Sequence, residues 1–305
     1  IIPGLMRRGI SLEDARDYCI IGCVEPTVGG MEYPAWGGTG QESFFNLIGC
    51  LVMAMHNGTN PSTGYDGGLK TGYLYEYKTF EDFQKAFVEQ LQYFLSWQLS
   101  ECNFYELMYA EYFPSVVCSA TMDGCMESGR DVLWGGAKYN GAGNSSIGHG
   151  TVADSLNVIN QVCFVTKKYT TRQLYDALMA NWEGYDELRN YINGEMPRYG
   201  NAIEEVDQWA TWLMNLFADI VTEFTSIRGC KFAPGLYPVA TNVLWGMFTP
   251  ATPDGRKSGE ALADGISPVQ QMDKNGPTST LTSVAHIPQS RYSNGTLLNM
   301  KFHPS

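Results

Sequence analysis

Apolar residues recur at three- and four-residue intervals over residues 79 to 113, the spacing that turns one face of a long α-helix toward a core. That stretch breaks around Phe113-Pro114. The same period predicts helices from Glu42 to Met55, near 151 to 163, near 171 to 193 and over about 201 to 228. The Glu42–Met55 segment ends at Asn57-Gly58, as helix C-termini commonly do. Ser11 heads an acidic run to Tyr18 in the manner of a capping box, which predicts a short helix. Between these lie short runs of β-branched residues. Cys19-Ile-Ile-Gly-Cys-Val-Glu-Pro, stopped by Pro26, reads as a short buried strand, and a second strand is expected from Gly235 to Val243. Residues 29–40, 135–150 and 246–277 are rich in Gly, Asn, Pro or Asp and read as loops. Long helices alternating with short apolar strands point to an α/β barrel or a layered α/β architecture. There is no internal repeat and no low-complexity linker.

Composition narrows the function classes. Hydrophobic residues make up 44% of the 305 and charged residues 17%, the balance of a packed globular body rather than a disordered one. The formal charge of −12 argues against nucleic acid or anionic membrane as a partner. No apolar run approaches the roughly 20 residues a membrane span needs, and the N-terminal residues do not read as a signal sequence. A cytoplasmic location is the expectation. The eight cysteines (19, 23, 50, 102, 118, 125, 163, 230) form no C-x-x-C pair. They are expected as reduced thiols, mostly buried, with no structural zinc or iron–sulfur site and no other bound metal.

Cys23-Val24-Glu25 is the tripeptide with chemistry to offer. On a strand, residues i and i+2 point to one face, so thiol and carboxylate would share a space. A carboxylate in a dry pocket must find a hydrogen-bond donor or take up a proton, and either prepares it as a general base. Taken alone, such a tripeptide is more often a core Cys and an edge Glu capped by a turn, because short motifs recur by chance.

The flanking sequence adds to that reading. Gly22–Pro26 (Gly-Cys-Val-Glu-Pro) resembles the Cys-loop of glycyl radical enzymes, the pyruvate formate-lyase-like family, in its glycerol, diol and choline lyase subgroup. Met122–Asp131 followed by Gly135–Asn140, then Thr151–Leu156, Ala251–Glu260, Leu262–Pro268, Asp273–Pro277 and Leu297–Ser305 are also similar to the family, in family order over nearly the whole chain. The resemblance implies part of a ten-stranded α/β barrel with the Cys-loop in its centre. Residues 1–305 would be the C-terminal portion of that barrel domain, with the glycine radical domain absent. It implies a glycyl radical on a residue outside this chain, installed by an S-adenosylmethionine-dependent activating enzyme. It also implies a small-molecule substrate and a homodimer when full length. In such lyases a Cys thiyl, here Cys23, abstracts a substrate hydrogen, and the carboxylate two residues on, here Glu25, takes a proton from the neighbouring hydroxyl. Water, an amine or sulfite then leaves. The family's Arg-Val-Ser/Ala-Gly-Tyr/Phe radical motif does not occur in residues 1–305, so the chain reads as a fragment of a longer enzyme.

Other residues and activities stay in view. Pyruvate formate-lyase uses two adjacent cysteines, and Cys23 stands between Gly22 and Val24, which disfavours acyl transfer. A formate C-acetyltransferase-like or decarboxylase activity, and an inactive scaffold fragment, remain the alternatives. Tyr237 lies in a segment resembling the strand where glycerol-type dehydratases carry a pocket Tyr, and it is the candidate substrate-binding residue or else a packed barrel Tyr. His56 reads as a helix-terminal His favoured by the dipole, and His149 as a pocket or turn residue. Trp36 and Gly29–Ala35 depart from the loops of the glycerol and choline lyases, which leaves the substrate open. Asp254-Gly-Arg reads as a Pro-Asp-Gly turn ordering a loop, and Phe80, Phe83, Phe87, Tyr93 and Trp97 as a helix core stripe.

Overall fold

The computed structural model describes residues 1–33 and 43–302; the departures at Pro34–Trp36, part of the first glycine-rich loop and His303–Ser305 lie outside them. Two short helices, α1 (Ile2–Arg7) and α2 (Leu12–Arg16), open the chain. Ser11 caps α2 by accepting from the Asp14 amide at 3.1 Å, as its sequence predicts. The expected single strand at 19–26 is instead an antiparallel hairpin of β1 (Tyr18–Ile21) and β2 (Glu25–Val28). Gly22 makes the difference. It adopts φ +57, a left-handed conformation that reverses the chain. Pro26 does not end the strand but sits inside β2 opposite Ile20, which a two-stranded edge allows. β1 is largely exposed, whereas β2 is buried throughout.

After the hairpin, β3 (Glu32–Tyr33) lies inside the predicted loop and pairs far along the chain. The predicted Glu42–Met55 helix begins as a strand: β4 (Ser43–Asn46) precedes α3 (Leu47–Met55), capped by the Asn46 carboxamide at 3.1 Å from the Gly49 amide. A small hairpin, β5 (Thr59–Asn60) and β6 (Tyr65–Asp66), leads to α4 (Phe80–Tyr112), which matches its expected extent. Phe83, Phe87, Leu91, Leu95 and Leu99 form its fully buried stripe, each contributing on the order of 1.5–3 kcal/mol by leaving water. Trp97 does not belong to that stripe, being 65% exposed, and Tyr93 is only partly buried.

Two short helices, α5 (Val116–Thr121) and α6 (Cys125–Ser128), precede β7 (Tyr139–Asn140) and β8 (Ala142–Ile147), both inside a predicted loop. α7 (His149–Val158) runs on into a π-helical turn at Ile159–Val165. The predicted 171–193 helix is two, α8 (Thr171–Met179) and α9 (Asp186–Glu195). Asn181, Trp182 and Gly184 all have positive φ between them, and the break swings Trp182 into the core, where its Nε1 donates to the Arg256 carbonyl at 3.1 Å. α10 (Glu204–Glu223) follows. β9 (Phe232–Gly235) ends where its strand was expected to begin, and α11 (Thr241–Phe248) takes up the last three residues of that stretch. α12 (Pro277–Ala285) closes the set.

The sheet that organises the molecule is parallel, in the order β4-β8-β9, with Ser43 opposite Asn144 and Ala142 opposite Phe232. Helices α3, α4, α7 and α10 cover it and share one apolar core. Parallel strands joined through helices make this a mixed α/β fold. Thr296 bridges Leu236 in parallel just past β9, so the chain near residue 296 extends the sheet by one short step.

Candidate active site at the thiol turn

Cys23 stands exposed in the three-residue turn of the β1–β2 hairpin. Two residues on, Glu25 is 2% exposed at the start of β2. The expected same-face strand pair is therefore replaced by a different arrangement: thiol on the turn, carboxylate beneath it. The Val24 amide donates to Glu25 Oε2 at 2.6 Å, a short charge-assisted bond. Gly22 closes the other side. A Cβ there would lie 3.0 Å from each carboxylate oxygen, so glycine is needed for space as well as for φ. An exposed thiol on a projecting turn is sterically open to oxidation by a radical held elsewhere, so the residues present fit that role.

The base of the hairpin is fixed by a buried pair. Arg8 meets Glu32 at 2.7 Å, and the Thr27 hydroxyl donates to the same carboxylate at 2.8 Å. Burial, only partly offset by Arg8, pushes the Glu32 carboxyl above its ordinary range.

Tyr237 lies just beyond the C-terminal end of β9 and is fully buried. Its backbone is clamped by one side chain of the neighbouring strand: Ser145 Oγ accepts from the Tyr237 amide at 3.0 Å and donates to its carbonyl at 2.9 Å. Phe44 of β4 meets the Tyr237 ring edge-on at 6.0 Å. The phenol oxygen accepts from Asn294 Nδ2 at 2.9 Å. The next residue, Gly295, lies against the thiol turn, since a Cβ there would stand 2.5 Å from the Val24 carbonyl oxygen. Tyr237 and the Cys23 turn are thus joined through Asn294 and Gly295. Sequence reasoning found neither Ser145 nor Asn294. The clue to the first was a run of small polar residues in a predicted loop, and to the second an Asn-Gly dipeptide.

The other candidates resolve as structure. His149 heads α7 fully buried, with Nε2 3.1 Å from the Ala210 carbonyl; only an N–H satisfies that oxygen, so the ring carries its proton there. Burial pushes its pKa down to about 4. His56 is 4% exposed beside Tyr175, and burial likewise holds its pKa down to about 4. His56 stands at the C-cap of α3, the helix-terminal position expected of it, but burial disfavours the positive charge that a favourable dipole interaction needs. Asp254 orders its loop as expected, accepting from the Thr252 hydroxyl at 2.5 Å, while Arg256 donates to the carbonyls of Thr249, Pro250, Lys257 and Glu260. Among the cysteines, burial pushes Cys163 up to about 12 and Cys102 to about 11, which keeps those thiols protonated and inert. An apolar groove of about 380 Å³ lined by Phe44, Cys50, Met53, Trp97 and Trp245 holds none of Cys23, Glu25 and Tyr237. Among the described residues no cluster of His, Cys, Asp or Glu is placed to hold a metal, and no helix is long and apolar enough to cross a membrane.

This geometry has counterparts. Residues 1–246 match the family model described as Pyruvate formate lyase-like, and residues 262–305 match the one described as Glycine radical. The (2S)-3-sulfopropanediol dehydratase of Klebsiella oxytoca is 35% identical over 99% of this chain and 37% of its own length. The trans-4-hydroxy-L-proline dehydratase of Clostridioides difficile is 32% identical over 100% of this chain and 38% of its own. The chain thus spans under two-fifths of these relatives. Among solved structures, the glycerol-bound B12-independent glycerol dehydratase of Clostridium butyricum superimposes with a TM-score of 0.92 at 37% identity, covering 97% of this chain and 37% of that one. The expected fold class, α/β and part of a glycyl radical enzyme barrel, is borne out by that likeness. Fold, thiol turn and sequence agree, and the chain belongs to the pyruvate formate lyase-like family of glycyl radical enzymes.

Proposed function

We propose that the protein containing this chain is a glycyl radical lyase, a dehydratase of a small hydroxylated substrate, with Cys23 as the hydrogen-abstracting residue and Glu25 as the base. The observation that carries the reading is the thiol turn itself: an exposed Cys23 above a buried carboxylate that accepts a 2.6 Å bond from Val24. The names of the similar proteins, dehydratases of a sulfonated diol, a hydroxyproline and glycerol, support elimination from a hydroxylated carbon.

The glycyl radical supplies the one-electron oxidation of the thiol. The Cys23 thiyl takes a hydrogen atom from the substrate carbon that bears a hydroxyl, which restores S–H and leaves a carbon radical. Glu25 accepts the proton of that hydroxyl, a positioned general-base step. The resulting ketyl-type radical expels the adjacent hydroxide, which takes the proton held by Glu25 and leaves as water, restoring the carboxylate, and Cys23 returns the hydrogen atom to the product radical. Tyr237 contacts the substrate through its hydroxyl. The radical glycine lies outside residues 1–305, because none of the glycines in 262–305 stands in the family's radical motif. An S-adenosylmethionine-dependent activating enzyme is the partner that installs the radical, the full-length protein is a homodimer, and it works in the cytoplasm.

The test is an anaerobic panel on the activated full-length protein: glycerol, 1,2-propanediol, (2S)-3-sulfopropanediol and trans-4-hydroxy-L-proline, with pyruvate plus coenzyme A as the contrast. A dehydrated product from one of the hydroxylated compounds is expected. Acetyl transfer with formate release, and no dehydration, would replace this reading with the formate-lyase one.

A further inference from the structure

We infer that Asn294 is a positioning residue: with Gly295 it registers the thiol turn against Tyr237 and holds the Tyr237 hydroxyl in the donor role. The inference deepens the proposed lyase activity and rests on that reading. Three observations carry it. Asn294, 1% exposed, gives its Nδ2 to the Tyr237 phenol oxygen at 2.9 Å. A phenol oxygen that accepts from an amide must aim its own O–H elsewhere, so Tyr237 becomes a donor. The Asn294 amide donates from the backbone to the Pro234 carbonyl at 3.1 Å, and the Leu236 amide to Gly295 at 2.9 Å, which locks the Asn-Gly turn to the end of β9. Finally, Gly295 has φ +99, and a Cβ there would stand 2.5 Å from the Val24 carbonyl oxygen and 3.1 Å from Val24 Cγ2. Only glycine gives the thiol turn that seat.

One turn therefore touches both halves of the site. Its upper neighbour is the backbone of the Cys23 turn, and its side chain sets the phenol. Asn294 Oδ1 is buried with no partner among the described residues, so the bond to Tyr237 is the one that orients the carboxamide. The turn also falls inside the region similar to the Glycine radical family, which places that region in direct contact with the thiol turn.

Asn294→Asp is the informative change, being isosteric but acceptor-only when ionised. Its carboxylate accepts a hydrogen bond from the Tyr237 O–H, which reverses the direction of the bond and takes the phenol donor away from substrate. In the activated full-length protein we expect a loss of at least tenfold in kcat/KM, with no further loss when Tyr237→Phe is added, because both changes remove the same donor. A full-activity Asn294→Asp protein would mean that the bond runs the other way, and multiplicative losses would mean that Asn294 acts elsewhere; either overturns the inference. A second readout does not need turnover. In the full-length protein, Asn294→Ala and Gly295→Ala should each raise the rate of Cys23 alkylation by iodoacetamide several-fold. Unchanged alkylation in both overturns the inference as well. If the wild-type protein dehydrates nothing in the panel, the lyase reading fails by itself, and alkylation still decides whether this turn seats the thiol.

Discussion

Glu25 Oε2 accepts a 2.6 Å hydrogen bond from the Val24 amide while itself only 2% exposed. The carboxylate is thereby aimed at the inside of its own turn, below Cys23. A glutamine in its place keeps an acceptor for Val24 but cannot take up the substrate proton. Glu25→Gln is expected to lower turnover by about 10²–10⁴-fold, the range of a lost general base. Hydrogen abstraction should survive, so substrate recovered from D2O should carry deuterium delivered by the exchanged Cys23 thiol. A glutamine variant that dehydrates at the wild-type rate removes Glu25 from the mechanism.

Gly22 serves the same turn from the other side. Alanine there must adopt φ +57 and place its Cβ 3.0 Å from both Glu25 oxygens. The backbone strain is about 1–3 kcal/mol, confined to an exposed hairpin tip. Gly22→Ala should therefore leave the melting temperature within a few degrees of wild type while cutting turnover at least tenfold. A variant as active as wild type would show that carboxylate placement does not limit the reaction.

Ser145 holds Tyr237 by two hydrogen bonds to one residue's backbone. Ser145→Ala removes both and leaves a buried amide and carbonyl without that partner, a loss of about 1–3 kcal/mol in urea unfolding. If the alanine protein unfolds at the wild-type midpoint, the hydroxyl is not what ties β8 to Tyr237.

The helices were foreseeable because their apolar period is local. Phe83, Phe87, Leu91, Leu95 and Leu99 announce α4 without knowledge of what lies opposite. β8 was not foreseeable in the same way. Ala-Gly-Asn-Ser-Ser-Ile has the composition of a loop, yet Asn144, Ser145 and Ser146 are almost wholly buried. Their partners come from distant segments: Asn144 Nδ2 reaches the Ser43 hydroxyl and Gln98 Oε1, both at 2.7 Å, and Ser145 reaches Tyr237. A polar strand becomes central only when those partners arrive, and periodicity does not record them. Cys23 and Glu25 show the reverse case. The family resemblance singled them out, but the strand geometry assumed for them was wrong, because the φ of Gly22 turns the chain between β1 and β2.

His149 offers a pH test with a definite sign. Burial holds its folded pKa at about 4, against 6.5 when exposed. Between those values the unfolded chain binds the extra proton, so the stability His149 contributes is intact above pH 6.5 and is lost as pH falls toward 4. The loss amounts to about 3 kcal/mol. His149→Gln lacks that titration. The stability gap between wild type and His149→Gln should narrow by about that amount from pH 7 to pH 4 in urea unfolding. A gap independent of pH would mean that the ring titrates as if exposed.

The most direct test of the account is Cys23→Ser in the activated full-length protein, read by paramagnetic resonance alongside product formation. A hydroxyl cannot replace the thiol as hydrogen carrier, so the glycyl radical signal should persist, undiminished by substrate, with no product formed. Turnover by the serine protein would contradict the assignment of Cys23 and, with it, the role of Glu25 beneath the same turn.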